Sequence, residues 1–127
     1  MEFSGSGRLP GPISALHAVI VDEHTIMLEW NPPENSTDVD EYIVHYQKVD
    51  NTSMHETVLK LDNQLNTTST TATITDLSEN QLYHIFVVSS NEHGTSLPSS
   101  IIVINLVKNG EYICIVSLTF HYTCYDQ

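Results

Sequence analysis

The sequence predicts an all-β protein folded as a two-sheet sandwich. Nearly every apolar segment is short, rich in Val, Ile, Thr and Tyr, and bounded by Asn, Asp, Gly, Pro or Ser. This spacing is typical of an all-β sandwich or barrel, and no segment has the periodicity of a convincing amphipathic helix. Seven strands are predicted, at residues 13–21, 24–30, 41–48, 56–61, 69–75, 82–91 and 99–107.

Size and charge limit the kinds of function that the chain can have. A chain of 127 residues is long enough for one domain with one core. Its net charge of -12 repels nucleic acid and anionic lipid, so neither is expected as a partner. Residues 1–9 lack the charged start and apolar run of a signal peptide, and are interpreted as a linker or cloning-derived segment. The longest apolar runs, 101–104 and 113–116, are too short to cross a bilayer.

Alternation along the strands predicts which side chains face the core, because side chains two residues apart share a face. Trp30 ends the second strand on its buried face, where its ring can fill the space between two sheets. Pro32 lacks a backbone donor, so the strand must end there and a surface loop must begin. The residues predicted to point inward are Ile26, Leu28, Trp30, Tyr42, Val44, Tyr46, Ala72, Ile74, Tyr83, Ile85 and Val87.

Several motifs between residues 10 and 106 occur in a specific order. They are Pro12 near the entry, Leu28-x-Trp30-x-Pro32, Tyr42-x-Val44-x-Tyr46, Leu77 six residues before Tyr83, and Asn91-x-x-Gly94-x-Ser96-x-Pro98-Ser99. In this order they resemble the fibronectin type III domain. The last motif is similar to repeats in neural adhesion proteins, netrin-receptor-like proteins and receptor tyrosine phosphatases.

The resemblance implies a seven-stranded immunoglobulin-like sandwich with Greek-key connections. It also implies a tyrosine corner, in which the phenol of Tyr83 bonds back to the turn that follows Leu77. Trp30, Leu28 and Tyr42 complete the expected structural core. Such domains act as spacer, adhesion or ligand-contact modules, usually in tandem with others, so the resemblance implies no catalysis.

Three tripeptides fit the acceptor for N-linked glycans: they begin at Asn35, Asn51 and Asn66, and none has Pro in the middle. All three are expected in loops. A chain rich in Ser, Thr and Asn also produces such tripeptides by chance. Together with the resemblance, they predict a secreted chain or the extracellular side of the plasma membrane.

Candidate metal and catalytic groups are few. His45 and His84 should point outward from neighbouring strands, and no third ligand lies nearby in the sequence, so they are expected to be exposed surface histidines. One loop carries acidic residues without the spacing or glycine of an EF-hand, and it is expected to be solvated: Glu34, Asp38, Asp40 and Glu41. Gly-x-Ser-x-Gly is absent. No catalytic residue, metal ligand or cofactor is predicted, and the chain is not expected to be an enzyme.

Outward positions on the third and sixth strands are unexpectedly apolar, since Ile43, Phe86 and Val88 lie there beside His45 and His84. An apolar patch on a soluble protein often marks a binding surface, so these five residues are the candidates for contacting a protein partner or a second copy of the chain. Strand propensity alone also explains Val, Ile and Phe on an exposed face. Both interpretations remain open.

The last segment, residues 107–127, lies beyond the part that resembles the family. Asn109-Gly110 between apolar segments is a strong hairpin signal, so residues 111–122 could form an eighth strand. The rival interpretation, a disordered or partly ordered tail, is slightly preferred. Cys114 and Cys124 both lie here and could form a disulfide with each other or link two chains in a homodimer.

The sequence therefore predicts an extracellular protein-interaction module of an adhesion, guidance or signalling receptor, with neighbouring extracellular domains and an unidentified protein partner. A passive spacer in a tandem array and an accessory module of a secreted enzyme are the alternatives. An outward face that buries surface against a partner would favour the interaction module over the passive spacer.

Overall fold

The computed structural model describes residues 8–49, 63–109, 112–117 and 122–126. Together these residues form a β-sandwich, which confirms the predicted fold class. A short 3-10 helix, Ser36–Asp38, lies between the second and third strands. The strands are β1 (Ser14–Asp22), β2 (Thr25–Asn31), β3 (Glu41–Val49), β4 (Asn63–Thr67), β5 (Thr71–Ile74), β6 (Leu82–Asn91), β7 (Gly94–Thr95), β8 (Ile102–Asn109), β9 (Tyr112–Ser117) and β10 (Tyr122–Asp126).

The strands form two antiparallel sheets. The smaller sheet has the order β1-β2-β5, and the larger has the order β10-β9-β8-β6-β3-β4, with β7 paired to β6. The chain changes sheet between β2 and β3, between β4 and β5, and again between β5 and β6. These crossings give the Greek-key connections of an immunoglobulin-like sandwich.

The core lies between the two sheets. Trp30 at the end of β2 packs edge-on against Tyr42 of β3, with ring centroids 5.5 Å apart and an interplanar angle of 67°. Tyr46, which was predicted to point inward, is only partly buried and packs against the core. The buried core residues are Ile13, Ile20, Ile26, Leu28, Trp30, Tyr42, Val44, Ala72, Ile74, Leu77, Tyr83, Ile85, Val87, Ile104, Leu106, Ile113 and Ile115.

The fourth strand is found where the sequence analysis did not place one. The predicted strand at 56–61 lies outside the described residues, whereas β4, with the sequence NQLNT, pairs with β3 at the edge of the larger sheet. Only Leu65 of β4 packs against the core. An edge strand that contributes one apolar side chain has little hydrophobic alternation, so its sequence pattern is weak.

The described residues of the tail form two strands, where the sequence analysis slightly preferred a disordered or partly ordered segment over one extra strand. β9 pairs with β8 and β10 pairs with β9, so the larger sheet continues beyond β8, which corresponds to the last of the seven predicted strands. Ile113 and Ile115 are 5% and 7% exposed and belong to the core cluster. Burying two isoleucine side chains is worth about 3 to 6 kcal/mol, which opposes the entropy lost on ordering the strand.

The motif from Asn91 to Ser99 makes hydrogen bonds to the part of β6 that does not pair with β8. The Ser96 and Ser99 hydroxyl oxygens accept hydrogen bonds from the backbone N–H groups of Ser89 and Val87, at 2.9 and 3.0 Å. The backbone N–H groups of the same two serines donate to the carbonyls of Ser89 and Val87. Each serine therefore satisfies both backbone groups of one β6 residue.

Candidate interaction surface

The five partner candidates come together on the outer face of the larger sheet. Ile43 lies directly opposite Val88, and His45 lies directly opposite Phe86, across the β3–β6 pair. His84 follows on the same face of β6. Strand pairing therefore gathers residues from two separate parts of the sequence, and we call Ile43, His45, His84, Phe86 and Val88 the outer-face cluster.

The members of this cluster differ in burial, and Val88 corrects the expectation. Val88 is only 6% exposed, so it is not an open surface residue, although it lies outside the core cluster between the sheets. Ile43 and Phe86 are half-buried. Within the cluster, the apolar side chains that a partner could reach are therefore Ile43 and Phe86.

The two histidines are not the exposed residues that the sequence suggested. His45 and His84 are both half-buried. The His45 ring stacks on the Phe86 ring with centroids 4.7 Å apart and an interplanar angle of 22°. Side chains on adjacent strands cover the rings, which the sequence pattern of one strand cannot show.

Burial also changes the protonation of these histidines. Removal from water disfavours the charged imidazolium, so the pKa values of His45 and His84 are lowered from their ordinary value. The residues directly across the strands from them are uncharged, namely Gln64 and Phe86 for His45, and Gln47 and Val103 for His84. The face around both imidazoles is thus apolar and amide-lined, and it disfavours their charged form.

The same face holds polar atoms that lack partners. His45 Nδ1, the Gln47 amide oxygen and the Asn105 amide oxygen are buried, and no group in the described parts of the chain hydrogen-bonds to them. Gln47 and Asn105 were missed as candidates, although alternation along β3 and β8 places both on this face. An unpaired buried polar group costs about 1 to 3 kcal/mol. The face is therefore not optimised for the isolated domain.

The comparisons with known proteins identify the fold family. The family "Fibronectin type III domain" matches residues 11–105. The chain belongs to the fibronectin type III family. Residues 11–105 are therefore a non-catalytic module of the kind that serves structure or protein interaction.

Two curated relatives and one solved structure are similar to this fibronectin type III domain. Human Myomesin-2 is 29% identical over 101 residues, which cover 79% of this chain and 7% of Myomesin-2. M-protein of chicken striated muscle is 28% identical over the same coverage. The FN5 domain of Drosophila Lar has a TM-score of 0.59 and 19% identity, and the match covers 80% of this chain and all of that one.

The domain spans about 7% of the length of the curated relatives it matches. Neither relative bears the name of an adhesion receptor or a receptor tyrosine phosphatase. The likeness to Lar is below 25% identity and shows the fold alone. Among the described residues, no helix is long and apolar enough to cross a membrane.

The family's structural residues lie in the core of this domain. Leu28 is fully buried, and Leu77 and Tyr83 are 3% and 2% exposed. The Tyr83 hydroxyl accepts a hydrogen bond of 2.6 Å from the backbone N–H of Ser78, one residue after Leu77. The hydroxyl therefore holds the connection between β5 and β6 against the start of β6.

The three glycan acceptors of the fibronectin type III domain differ in their surroundings. Asn35 is exposed in the loop after β2, whereas Asn51 lies outside the described residues. Asn66 lies within the edge strand β4, not in a loop as expected, and its amide donates to Glu41 Oε1 at 3.1 Å. Asn66 is nevertheless exposed, because β4 is the last strand of its sheet.

The two cysteines of the domain form a disulfide between β9 and β10. Cys114 and Cys124 lie directly opposite each other, with Cα atoms 4.0 Å apart. The sequence left an intramolecular and an intermolecular pairing open, and the strand register selects the intramolecular one. The bond joins the last strand of the sheet to a strand whose isoleucines lie in the core.

The acidic loop after β2 does not form a compact ligand set. Among the residues that the structure describes, Glu34, Asp38, Asp40 and Glu41 do not place three ligand atoms within 4.8 Å of one another. The loop is instead held by Asn91, whose amide donates to the Asp38 carbonyl at 2.9 Å and to the Arg8 carbonyl at 2.8 Å. Glu41 accepts the hydrogen bond from the Asn66 amide, and Glu34 and Asp40 are exposed to solvent.

Proposed function

We propose that this fibronectin type III domain is a protein-interaction module that binds a positively charged protein through the outer face of its larger sheet. The observation that supports this proposal most is the outer-face cluster. It combines half-buried apolar side chains and half-buried histidines with buried polar atoms that lack partners among the described residues. Such a composition is more costly on a passive surface than at a protein interface.

Contact with a partner would improve the energy of this face in two ways. Covering Ile43 and Phe86 removes further apolar area from water, which is worth about 25 cal/mol per Å². Rotation of the Gln47 and Asn105 amides would also allow their oxygens to accept hydrogen bonds from the partner. Since these oxygens are unpaired in the described structure, such bonds would remove an existing penalty.

Charge determines what kind of protein fits. The chain has 16 acidic residues and 4 Lys and Arg, so its field attracts a basic surface and repels a second copy of itself. Glu41, at the beginning of β3, is half-buried beside Asn66 at the margin of the cluster. A basic partner with an apolar centre is therefore favoured over homodimer formation.

We propose that this interaction takes place outside the cell, because the chain contains a disulfide. Disulfides persist in oxidising compartments and are rare in the cytosol, and Cys114 is joined to Cys124 in the structure. The exposed acceptor Asn35, which lies in a loop away from the outer-face cluster, fits the same compartment. The test is mass spectrometry of the chain secreted by mammalian cells, which should show the disulfide and a glycan on Asn35. Free thiols and unmodified asparagines would contradict the extracellular assignment.

To test binding, a labelled tetramer of the full chain is added to mammalian cells and cross-linked to the protein that it binds. That protein is then purified, and its direct binding to the full chain is measured. Phe86→Ser should weaken direct binding at least about tenfold if Phe86 is a central contact. Affinity should also fall as salt rises, because the proposed partner is basic. Leu97→Ser is the matched control, since Leu97 is 77% exposed and does not belong to the cluster.

Thermal unfolding of each variant separates binding from folding. Phe86 is half-buried, so its replacement should cost about 1 to 2 kcal/mol and leave the domain folded. Equal affinities for the Phe86→Ser, Ile43→Thr and Leu97→Ser variants would contradict the proposed surface. Binding by a second copy of the chain instead, measured by sedimentation, would replace the basic partner with a homodimer.

A structural role in a tandem array is the second candidate. It is favoured by the length of the curated relatives, because the match to this domain covers only 7% of Myomesin-2. In that role the outer-face variants would leave every interaction unchanged, and the mechanical stability of the sandwich would be the relevant property. The narrower assignment to adhesion or guidance receptors follows only from the motif between Asn91 and Ser99 and remains part of the proposal.

A further inference from the structure

Three potential metal ligands meet at one end of the sandwich, away from the outer-face cluster. Glu23 and His24 form the turn between β1 and β2, and Glu79 lies in the connection between β5 and β6. One ligand atom from each residue lies within 4.8 Å of the others. Residues more than fifty positions apart in the sequence are therefore brought to one point.

The two connections that carry these residues are held together by hydrogen bonds. The Leu77 N–H donates to the His24 carbonyl at 2.9 Å, and His24 Nδ1 lies 2.8 Å from the Leu77 carbonyl oxygen. The Ser78 N–H donates to the Tyr83 hydroxyl, which holds the β5–β6 connection to β6. The positions of the turn and the connection are therefore set before any ligand arrives.

The same hydrogen bonds determine which nitrogen of His24 can bind a cation. A carbonyl oxygen only accepts, so Nδ1 must carry the proton that it donates to Leu77. This leaves the Nε2 lone pair free, and Nε2 lies 3.6 Å from Glu23 Oε1. A histidine whose other ring nitrogen donates to a backbone carbonyl is the usual arrangement of a metal-bound imidazole.

We propose that Glu23, His24 and Glu79 bind a zinc ion that links the β1–β2 turn to the β5–β6 connection. One imidazole nitrogen with two carboxylate oxygens suits zinc, whereas calcium and magnesium prefer oxygen ligands alone. Donor atoms around a tetrahedral zinc are about 3.3 to 3.5 Å apart, so small rotations of the two glutamate side chains complete the site. Water supplies the fourth ligand from an open cleft of about 580 Å³ that Glu23 and His24 line.

Lys108 is the natural competitor of the ion. Its Nζ lies 3.3 Å from Glu23 Oε2, at a site where both side chains are partly exposed. Such an exposed pair contributes at most about 1 kcal/mol, which a zinc ion can displace. Removing the lysine charge should therefore strengthen zinc binding, whereas removing a ligand should weaken it.

The test is calorimetric titration of the full, untagged chain with zinc chloride after treatment with a chelator, without reductant. One saturable zinc ion per chain is expected, with calcium and magnesium at least about tenfold weaker. Glu79→Gln and His24→Ala should each weaken zinc binding at least about tenfold, and Lys108→Met should strengthen it. Zinc should also raise the midpoint of thermal unfolding of the unsubstituted chain, because it binds only the folded arrangement.

His17→Ala is the matched control, since His17 is also an exposed histidine beside a carboxylate, with Nε2 2.9 Å from Glu29 Oε1. Its affinity for zinc should equal that of the unsubstituted chain. If His24→Ala unfolds through loss of the Leu77 contact, Glu79→Gln still decides, because Glu79 makes no contact on which the fold has been shown to depend. Absence of saturable zinc binding, or equal affinities for Glu79→Gln and His17→Ala, would overturn the site.

Discussion

At the scale of single residues, two serine side chains make hydrogen bonds to β6 that a neighbouring strand would otherwise make. β8 begins only at Ile102, yet β6 continues to Asn91 at its other end. Ser96 and Ser99 fill this gap, since each accepts a β6 N–H with its hydroxyl and donates its own N–H to a β6 carbonyl. The motif that resembles a family signature therefore satisfies the backbone hydrogen bonds of β6 beyond the end of β8.

Ser99→Ala tests this role. The substitution leaves the buried Val87 N–H without the hydroxyl oxygen that accepts it at 3.0 Å. The free energy of unfolding should fall by about 1 to 3 kcal/mol, measured by urea denaturation. Ser100→Ala provides the control, because Ser100 is exposed and should change stability by less than about 0.5 kcal/mol. Equal effects of the two substitutions would show that the hydroxyl is not needed.

At the scale of elements, the tail is a graded extension of the larger sheet. β9 is anchored by Ile113 and Ile115 in the core. β10 pairs only with β9 among the described strands, and the described side chains of β10, Cys124 and Tyr125, are exposed. Among the described contacts, β10 is therefore held by its ladder with β9 and by the disulfide to Cys114, and not by side chains in the core.

Reduction of the disulfide should release β10 without unfolding the sandwich. Amide hydrogen exchange, measured by mass spectrometry with and without reductant, should accelerate in Tyr122–Asp126. Exchange in β3 and β6 should stay unchanged, because their pairing and burial do not depend on the bond. Cys124→Ser should reproduce the effect without reductant. Slow exchange of β10 in the reduced chain would mean that other contacts hold it.

At the scale of the whole molecule, two half-buried histidines make the free energy of unfolding depend on pH. His45 and His84 have pKa values lowered by burial, so between the lowered values and the unfolded value of 6.5 the unfolded chain binds more protons. Their contribution is complete above pH 6.5 and is lost as the pH falls through the lowered values. His17 acts in the opposite sense. The Ala15 carbonyl, together with Glu29, raises its pKa, so its contribution is present below pH 6.5 and is lost as the pH rises through the raised value.

The free energy of unfolding should therefore decrease as the pH is lowered from about 7 to about 5. A double variant, His45→Gln with His84→Gln, should flatten this decrease, since neither glutamine titrates. The measurement is urea denaturation at several pH values. His17→Gln is the control and should make the decrease steeper or leave it unchanged, because His17 is exposed and favours the folded state at low pH. An unchanged slope in the double variant would show that the two histidines are accessible to protons in the folded state.

The fold class, and the inward faces of the second, third, fifth and sixth predicted strands, could be read from the amino-acid sequence alone. Alternation with a period of two is a local property, so it places Trp30 and Tyr42 inward and His45 and Phe86 outward without knowledge of their neighbours. The order of the motifs then identifies the family. These features are encoded within ten or so residues, which is why they could be predicted.

Which outward side chains are covered, and which distant residues meet, depends on tertiary packing and was not predictable from the sequence. Val88 is buried whereas Phe86 is half-buried on the same strand and face, because burial depends on the side chains that adjacent strands supply. The order of the tail depends on whether Ile113 and Ile115 find the core, and the meeting of Glu23 and His24 with Glu79 depends on the packing of two loops. Pairing register and contacts between loops are long-range properties, and a local pattern does not contain them.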